Sequence, residues 1–126
     1  MGHPVTFSDD DPHLADVRRL ALALPEAVET VSHGRPTFWA GARNKTFATY
    51  SRTATSPAVL VVKPEPGERE ALLADPRFLV PPYAGASGWL GLDLVAGPVD
   101  LDEVGELLDA SYRQVALRRQ LRALDG

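Results

Sequence analysis

The chain has 126 residues, 44% of them hydrophobic and 24% charged, the composition of one globular domain around one core. The absence of cysteine excludes disulfides, thiolate nucleophiles and zinc-thiolate sites together. The net charge of −4 weighs, as an average, against nucleic acid, and no run approaches the roughly 18 apolar residues of a membrane span.

The opening MGHPVTFSDDDP has neither a basic n-region nor an apolar h-region, so a cytoplasmic location is expected. The whole chain, 1–126, is expected to form a single domain with a flexible tail over residues 1–10. Asp11-Pro12 supplies an N-cap acceptor followed by proline at the first helical position. Leu14, Val17, Ala21 and Leu24 then recur at helical spacing, with Asp16, Arg18 and Arg19 expected in water. Pro25 ends this helix. The Asp9-Asp10-Asp11 run reads as a solvated tail favouring the helix dipole.

From Val28 the period changes to two. Strands are expected over 28–33, 36–40, 44–51 and 58–63, broken at Gly34, Gly41-Ala42 and the Thr53-to-Pro57 loop. Such closely spaced strands form an antiparallel meander. Strict alternation puts Arg43, Lys45, Phe47, Thr49 and Ser51 on one face of the third strand. Asn44, Thr46, Ala48, Tyr50 and Arg52 fall on the other. The apolar run Ala58 to Val62 is expected to be a central strand buried on both faces.

A short helix follows from Pro66 to Leu73, stopped by Asp75-Pro76. The chain then crosses through Arg77-Phe78 and Pro81-Pro82 to a strand over 89–94. There Leu90, Leu92 and Leu94 point to the core. A last helix begins at Asp100, with Glu103 expected to close the capping box, and buries Val104, Leu108, Ser111 and Val115. At 100° per residue, Leu117, Leu121 and Leu124 lie roughly opposite that stripe. The helix must therefore break near Ala116 or meet a second surface.

The average charge conceals a segregation. Thr30 to Pro64 holds no Asp or Glu, but it holds Arg35, Arg43, Lys45, Arg52 and Lys63, a local charge of +5. The remainder carries eight basic and 17 acidic residues, a balance of −9. That pattern fits a basic face on an acidic body, and it also fits the ordinary scarcity of acids in strands.

Candidate chemistry is sparse. His3, His13 and His33 are the only histidines, and none has a partnering nucleophile or carboxylate nearby in the sequence. Asp93 and Asp100 have nothing to fix their separation, and Asp100 reads as a cap. No phosphate-loop, dinucleotide, nucleophile-elbow or metal-ligand spacing occurs, so no catalytic residue, cofactor or metal is expected. Trp39, Tyr50, Tyr83 and Trp89 are candidates to stack on bases. Phe38, Phe47 and Phe78 read more naturally as core than as stacking platforms, and so does Trp89.

Gly88 to Leu92 reads GWLGL, with Pro82-Tyr83-Ala84-Gly85 before it and Ser111-Tyr112-Arg113 after it. Upstream stand His33-Gly34-Arg35-Pro36 and Lys45-Thr46-Phe47-Ala48, with Arg77-Phe78 between. In this order and spacing, from about Val17 to Leu121, the chain resembles the MmcQ/YjbR family of small bacterial proteins. The resemblance implies a CyaY-like, double-wing fold. This is a two-layer α+β domain, an antiparallel sheet of about five strands with helices packed on one face. It also implies a DNA-binding label and no enzymatic activity, and it puts His33 where the family commonly has an aromatic residue, so its ring is expected to pack as one.

Weak, sequence-independent DNA binding through Arg35, Arg43, Lys45, Arg52 and Lys63 is the leading expectation. The alternative is a protein-interaction adaptor, engaging another protein or a second copy through the sheet or Leu117, Leu121 and Leu124. Frataxin-like metal binding, suggested by the fold analogy, finds few acids in the first helix to support it. Tyr112 is expected near the Pro82-Tyr83 turn.

Overall fold

The computed structural model describes residues 7–53, 56–82 and 84–126. Helix α1 (Pro12–Leu22) leads into strands β1 (Val28–Ser32), β2 (Arg35–Trp39), β3 (Thr46–Ser51) and β4 (Val59–Val62). Helix α2 (Arg69–Leu73), strand β5 (Phe78–Leu79) and strand β6 (Leu90–Asp93) follow, then helices α3 (Leu101–Arg113) and α4 (Arg118–Asp125). The sheet is antiparallel, in the order β1-β2-β3-β4-β6-β5. The fold is thus α+β, as expected, with six strands rather than five. The additional strand is the two-residue β5, too short to show a period and formed only because β6 offers it an edge.

Helices α1 and α3 pack side by side on one face of the sheet. Between them and the strands lies a core of Leu14, Val17, Ala21, Phe38, Phe47, Leu60, Val62, Leu90, Leu92, Val104, Leu108 and Tyr112. Leu90, Leu92 and Leu94 are all buried, as the alternation along β6 requires. Of the expected tail, residues 1–6 lie outside those described. Its remainder is docked: Phe7 packs on the core, the Arg18 guanidinium stands 6.0 Å from its ring, and Asp9 pairs with Arg18.

Three local features shape the sheet. His33 and Gly34 both take positive φ, 53° and 79°, as a two-residue hairpin turn of this hand requires. His33 is therefore exposed in the turn rather than packed as an aromatic, because histidine tolerates the left-handed region. Second, β2 and β3 pair with a bulge: Phe38 faces Ala48 and Trp39 faces Thr46, leaving Phe47 as the extra residue. The bulge breaks the strict alternation. Phe47 turns to the helices, where its ring meets Tyr112 edge-on at 5.4 Å, and Thr46 joins Thr49 and Ser51 on the other face.

Third, the buried Ser111 hydroxyl of α3 reaches the sheet at the bulge. It donates to the Phe47 carbonyl at 2.6 Å and accepts from the Lys63 amide at 2.9 Å. The Gln114 side-chain amide donates to the Lys63 carbonyl one turn further along. The end of the β3–β4 ladder is thus completed by a helix rather than by its neighbour strand.

Several expected contacts resolve differently. Asp100 caps α3 through the Asp102 and Glu103 amides, but Glu103 does not close the box. Its carboxylate instead takes a two-point ion pair from Arg77, at 2.8 and 3.0 Å, which a cap's single amide bond cannot match. The Tyr112 hydroxyl donates to the Pro25 carbonyl at 2.7 Å, tying α3 to the end of the α1 segment, while Tyr83 of the expected contact lies outside the described residues. Arg18 also leaves water in part, pairing with Glu29 on β1.

The helix does break after Arg113, and the last turns change direction as the opposed leucine stripe required. Gln120 anchors α4. It is buried, donates to the Ala40 carbonyl at 2.6 Å and accepts from the Leu117 amide at 2.7 Å. Leu124 packs against the core, Leu121 is half-buried and Leu117 is exposed.

Replacing Ser111 by alanine leaves a buried carbonyl and a buried amide without their partner. It should cost about 1–3 kcal/mol. Urea unfolding measures this, and a loss below about 0.5 kcal/mol, the range of a neutral surface change, would show that water substitutes fully for the hydroxyl.

Candidate functional site

The face of the sheet away from α1 and α3 is covered by no described element. Cross-strand partners share a face, so the register sets its composition row by row. One row runs Thr37, Thr49, Val61, Gly91, Leu79. Next to it, Trp39 faces Thr46, and Lys63 and Trp89 follow the last β4–β6 pair, Val62 with Leu90. Gly91 is glycine for want of room. A Cβ there would stand 2.8 Å from Val59 Cγ1 and 2.9 Å from Leu79 Cδ1.

The result is a trough of about 510 Å³, lined by Thr46, Thr49, Ser51, Val59, Val61 and Trp89 among others. Pro81, Pro82 and Ala84 wall one side, and Arg35 lines the other with the exposed His33 beyond it. That volume suits an organic ligand or a nucleotide rather than a few waters. Val61 is half-buried in this trough, so β4 is covered by helices on one face only, against the expectation of burial on both.

The five basic candidates divide between the two ends of the sheet. Arg35 opens β2 where β3 finishes, while Arg43 and Lys45 sit in the loop at β3's start. Lys63 leaves β4 at that same end, and a Cβ on Gly88 would lie 3.5 Å from its Cε. The six residues of β3 separate the ends by about 17 Å. Arg52 stands apart: its guanidinium is held by Asp11 at 3.3 Å, on the helix side. A continuous five-residue patch does not form. Arg35 lines the open face, Lys63 lies beside Gly88 at its other end, and Arg43 and Lys45 stand in the loop at that same end.

The other cations divide: Arg69 on α2 and Arg118 and Arg122 on α4 have no carboxylate partner among the described residues, and the rest are paired. Arg18, Arg19, Arg77, Arg113 and Arg119 each pair with a carboxylate within 3.4 Å. Arg35, Arg43, Lys45 and Lys63 pair with none among the described residues, and no Asp or Glu lines the trough. Glu29, the acid just before this stretch, is turned to the helices by Arg18, as Asp11 is by Arg52, while Asp93, opposite Val59, falls on the open face without lining the trough.

Of the stacking candidates, Trp39 and Trp89 are half-buried on the open face. The Trp39 indole N–H donates to Thr30 Oγ1 at 2.8 Å, which pins the ring while its surface stays accessible. Tyr50 is fully buried and stacks on nothing from outside, because its hydroxyl is drawn inward to Asp11. Tyr83 lies outside the described residues. The hydroxyl rows were the missed part of the site, although Thr30, Ser32, Thr37, Thr49 and Ser51 follow the period of two that could have revealed them.

The Asp11–Tyr50–Arg52 cluster was also missed. Burial pushes the Asp11 carboxyl up, but hydrogen bonds from Tyr50, the His13 amide and Arg52, with the Arg52 charge, outweigh it. The carboxyl is held below its usual 3.8. Burial, then the Asp11 carboxylate, push the Tyr50 hydroxyl well above its ordinary value. The cluster is a structural tie between the start of α1 and the end of β3, remote from the trough. Among the described residues no group of three His, Asp or Glu stands close enough to hold a metal ion. No helix among them is long and apolar enough to cross a membrane.

The architecture is that of a small α+β domain with one helix-covered and one open sheet face. The chain belongs to the YjbR family, which residues 22–114 match. No curated protein and no solved structure matches the chain.

A carboxyl whose pKa is lowered on folding adds stability above its unfolded pKa, and that stability is lost as pH falls through the folded value. The chain should therefore lose stability below about pH 3.8, the ordinary aspartate value. Asp11→Asn should be less stable at pH 7 by about 1–3 kcal/mol, with a shallower acid decline. Denaturant unfolding across pH 2–7 checks this, and an unchanged acid slope in the variant would contradict the assignment.

Proposed function

We propose that the chain is a non-enzymatic, cytoplasmic nucleic-acid-binding module whose contact surface is the open face of the sheet. One observation carries this reading. The trough on that face contains no acid, Arg35 lines it, and Arg35, Arg43, Lys45 and Lys63 at the ends of its strands have no carboxylate partner among the described residues. An acidic body of net charge −4 with such a face attracts a polyanion locally and repels it elsewhere. Binding is accordingly weak, driven by phosphate contacts and largely indifferent to sequence, since no described helix projects from the open face to read base edges.

The site residues under this reading are Arg35, Arg43, Lys45 and Lys63, with Trp39 and Trp89 between them. Arg52 drops out, because its charge is spent on Asp11. Arginine and lysine differ here: Arg35 and Arg43 present a planar fork to a phosphate, and Lys45 and Lys63 a point charge.

The adaptor reading through Leu117, Leu121 and Leu124 loses ground, since two of the three leucines are partly buried within the chain itself.

Fluorescence anisotropy of a labelled oligonucleotide at about 25 and about 150 mM salt tests the proposal. Three phosphate contacts give a log–log salt slope between about −2 on a single strand and about −2.7 on a duplex. Arg43→Ala with Lys45→Ala should weaken binding and flatten the slope by about one to two. No binding to either form at the lower salt would sink the reading and favour a protein partner.

A further inference from the structure

We infer that the open face takes a single strand in preference to a duplex, with Trp39 and Trp89 each stacking on a different unpaired base. This rests on the nucleic-acid reading and specifies the form of the ligand. Both tryptophans of the chain lie on this one face, as does no other described aromatic side chain except the His33 ring at its rim.

Their placement decides what they can bind. Trp39 is on β2 and Trp89 flanks β6, with β3 and β4 between them. Three inter-strand steps separate them by about 14 Å. That is too far to sandwich one base, so the pair serves two bases apart along one strand. Lys63 lies beside Trp89, where it meets a phosphate between stacked bases, and Arg43 and Lys45 stand at the same end. The threonine and serine hydroxyls between them offer both donors and acceptors to base edges without selecting one base.

A duplex cannot use this surface. Its bases are stacked on one another, so their π faces are covered until they are flipped out. It would meet only the rim, and four unpaired cations on an acidic body offer little to its higher charge density. A single strand has half that density and adds stacking, which tolerates any base.

Intrinsic fluorescence reports on the face without a label, because both tryptophans are there. Titrating the full chain with a thymidine 15-mer should quench its emission, and the strand should bind about tenfold or more tighter than a 15-base-pair duplex at the same salt. Trp89→Ala should lose about tenfold in affinity for the strand and little for the duplex. Thr49→Glu places a carboxylate in the trough while leaving the core intact, and should abolish both quenching and binding. Equal or tighter binding of the duplex without quenching would overturn this inference and leave the nucleic-acid reading standing. Binding of neither would overturn both.

Discussion

The Ser111 hydroxyl is the contact on which the rest of the arrangement depends. It sits between two strands and a helix, donating to the Phe47 carbonyl and accepting from the Lys63 amide. There β3 carries an extra residue relative to β2, and its regular pairing with β4 ends one residue earlier, at Ala48 and Val62. The hydroxyl satisfies both backbone groups in a buried place where water has little access, and an unmade bond there would be costly. Because the sheet end is held this way, Phe47 can turn inward onto Tyr112 and Thr46 outward. Lys63 then leaves β4 beside Trp89. One helix residue thus couples the packed face of the sheet to the open one.

Charge follows the same two-layer division. Carboxylates and arginines of the helix layer and the sheet edges neutralise one another in pairs, including the two-sided clamps of Arg77 on Asp75 and Glu103 and of Arg113 on Asp109 and Asp125. Such exposed pairs contribute little to stability individually. Their larger consequence is local: Arg18 and Arg52 hold Glu29 and Asp11 on the helix side, away from the trough, which no acid lines. Asp11 is the instructive case. It is buried, yet it stays ionised because Tyr50, the His13 amide and Arg52 all donate to its oxygens. Arg52, drawn to that carboxylate, is thereby withdrawn from the face that its sequence neighbours suggested.

Local patterns made most of the fold legible in the sequence. The Asp11-Pro12 start, the period of two from Val28, the Leu90-Leu92-Leu94 alternation and the break before Leu117 each depend on residues a few positions apart. What local pattern could not convey were pairings across the chain. The bulge at Phe47 arises from the register with β2, and β5 exists only because β6 is there to pair with it. Glu103 was free to cap in the sequence but meets Arg77 in space, and Tyr112 finds Pro25, 87 residues away. The site was half legible. Arg35, Trp39, Lys63 and Trp89 could be named in advance, whereas the fate of Arg52 and Tyr50 required knowing where Asp11 lies. Gln120 carried no signal, since a polar residue in a charged helix looks solvated until Ala40 and Leu117 are beside it.

The central claim is that the open face, and not the helix layer, is the contact surface for nucleic acid. Amide and indole chemical shifts of the ¹⁵N-labelled chain, followed while an oligonucleotide is added, test it most directly. The largest changes should fall at the Thr46, Thr49 and Lys63 amides and at the indole N–H groups of Trp39 and Trp89. Changes concentrated on α3 and α4, with both indole signals unmoved, would contradict it.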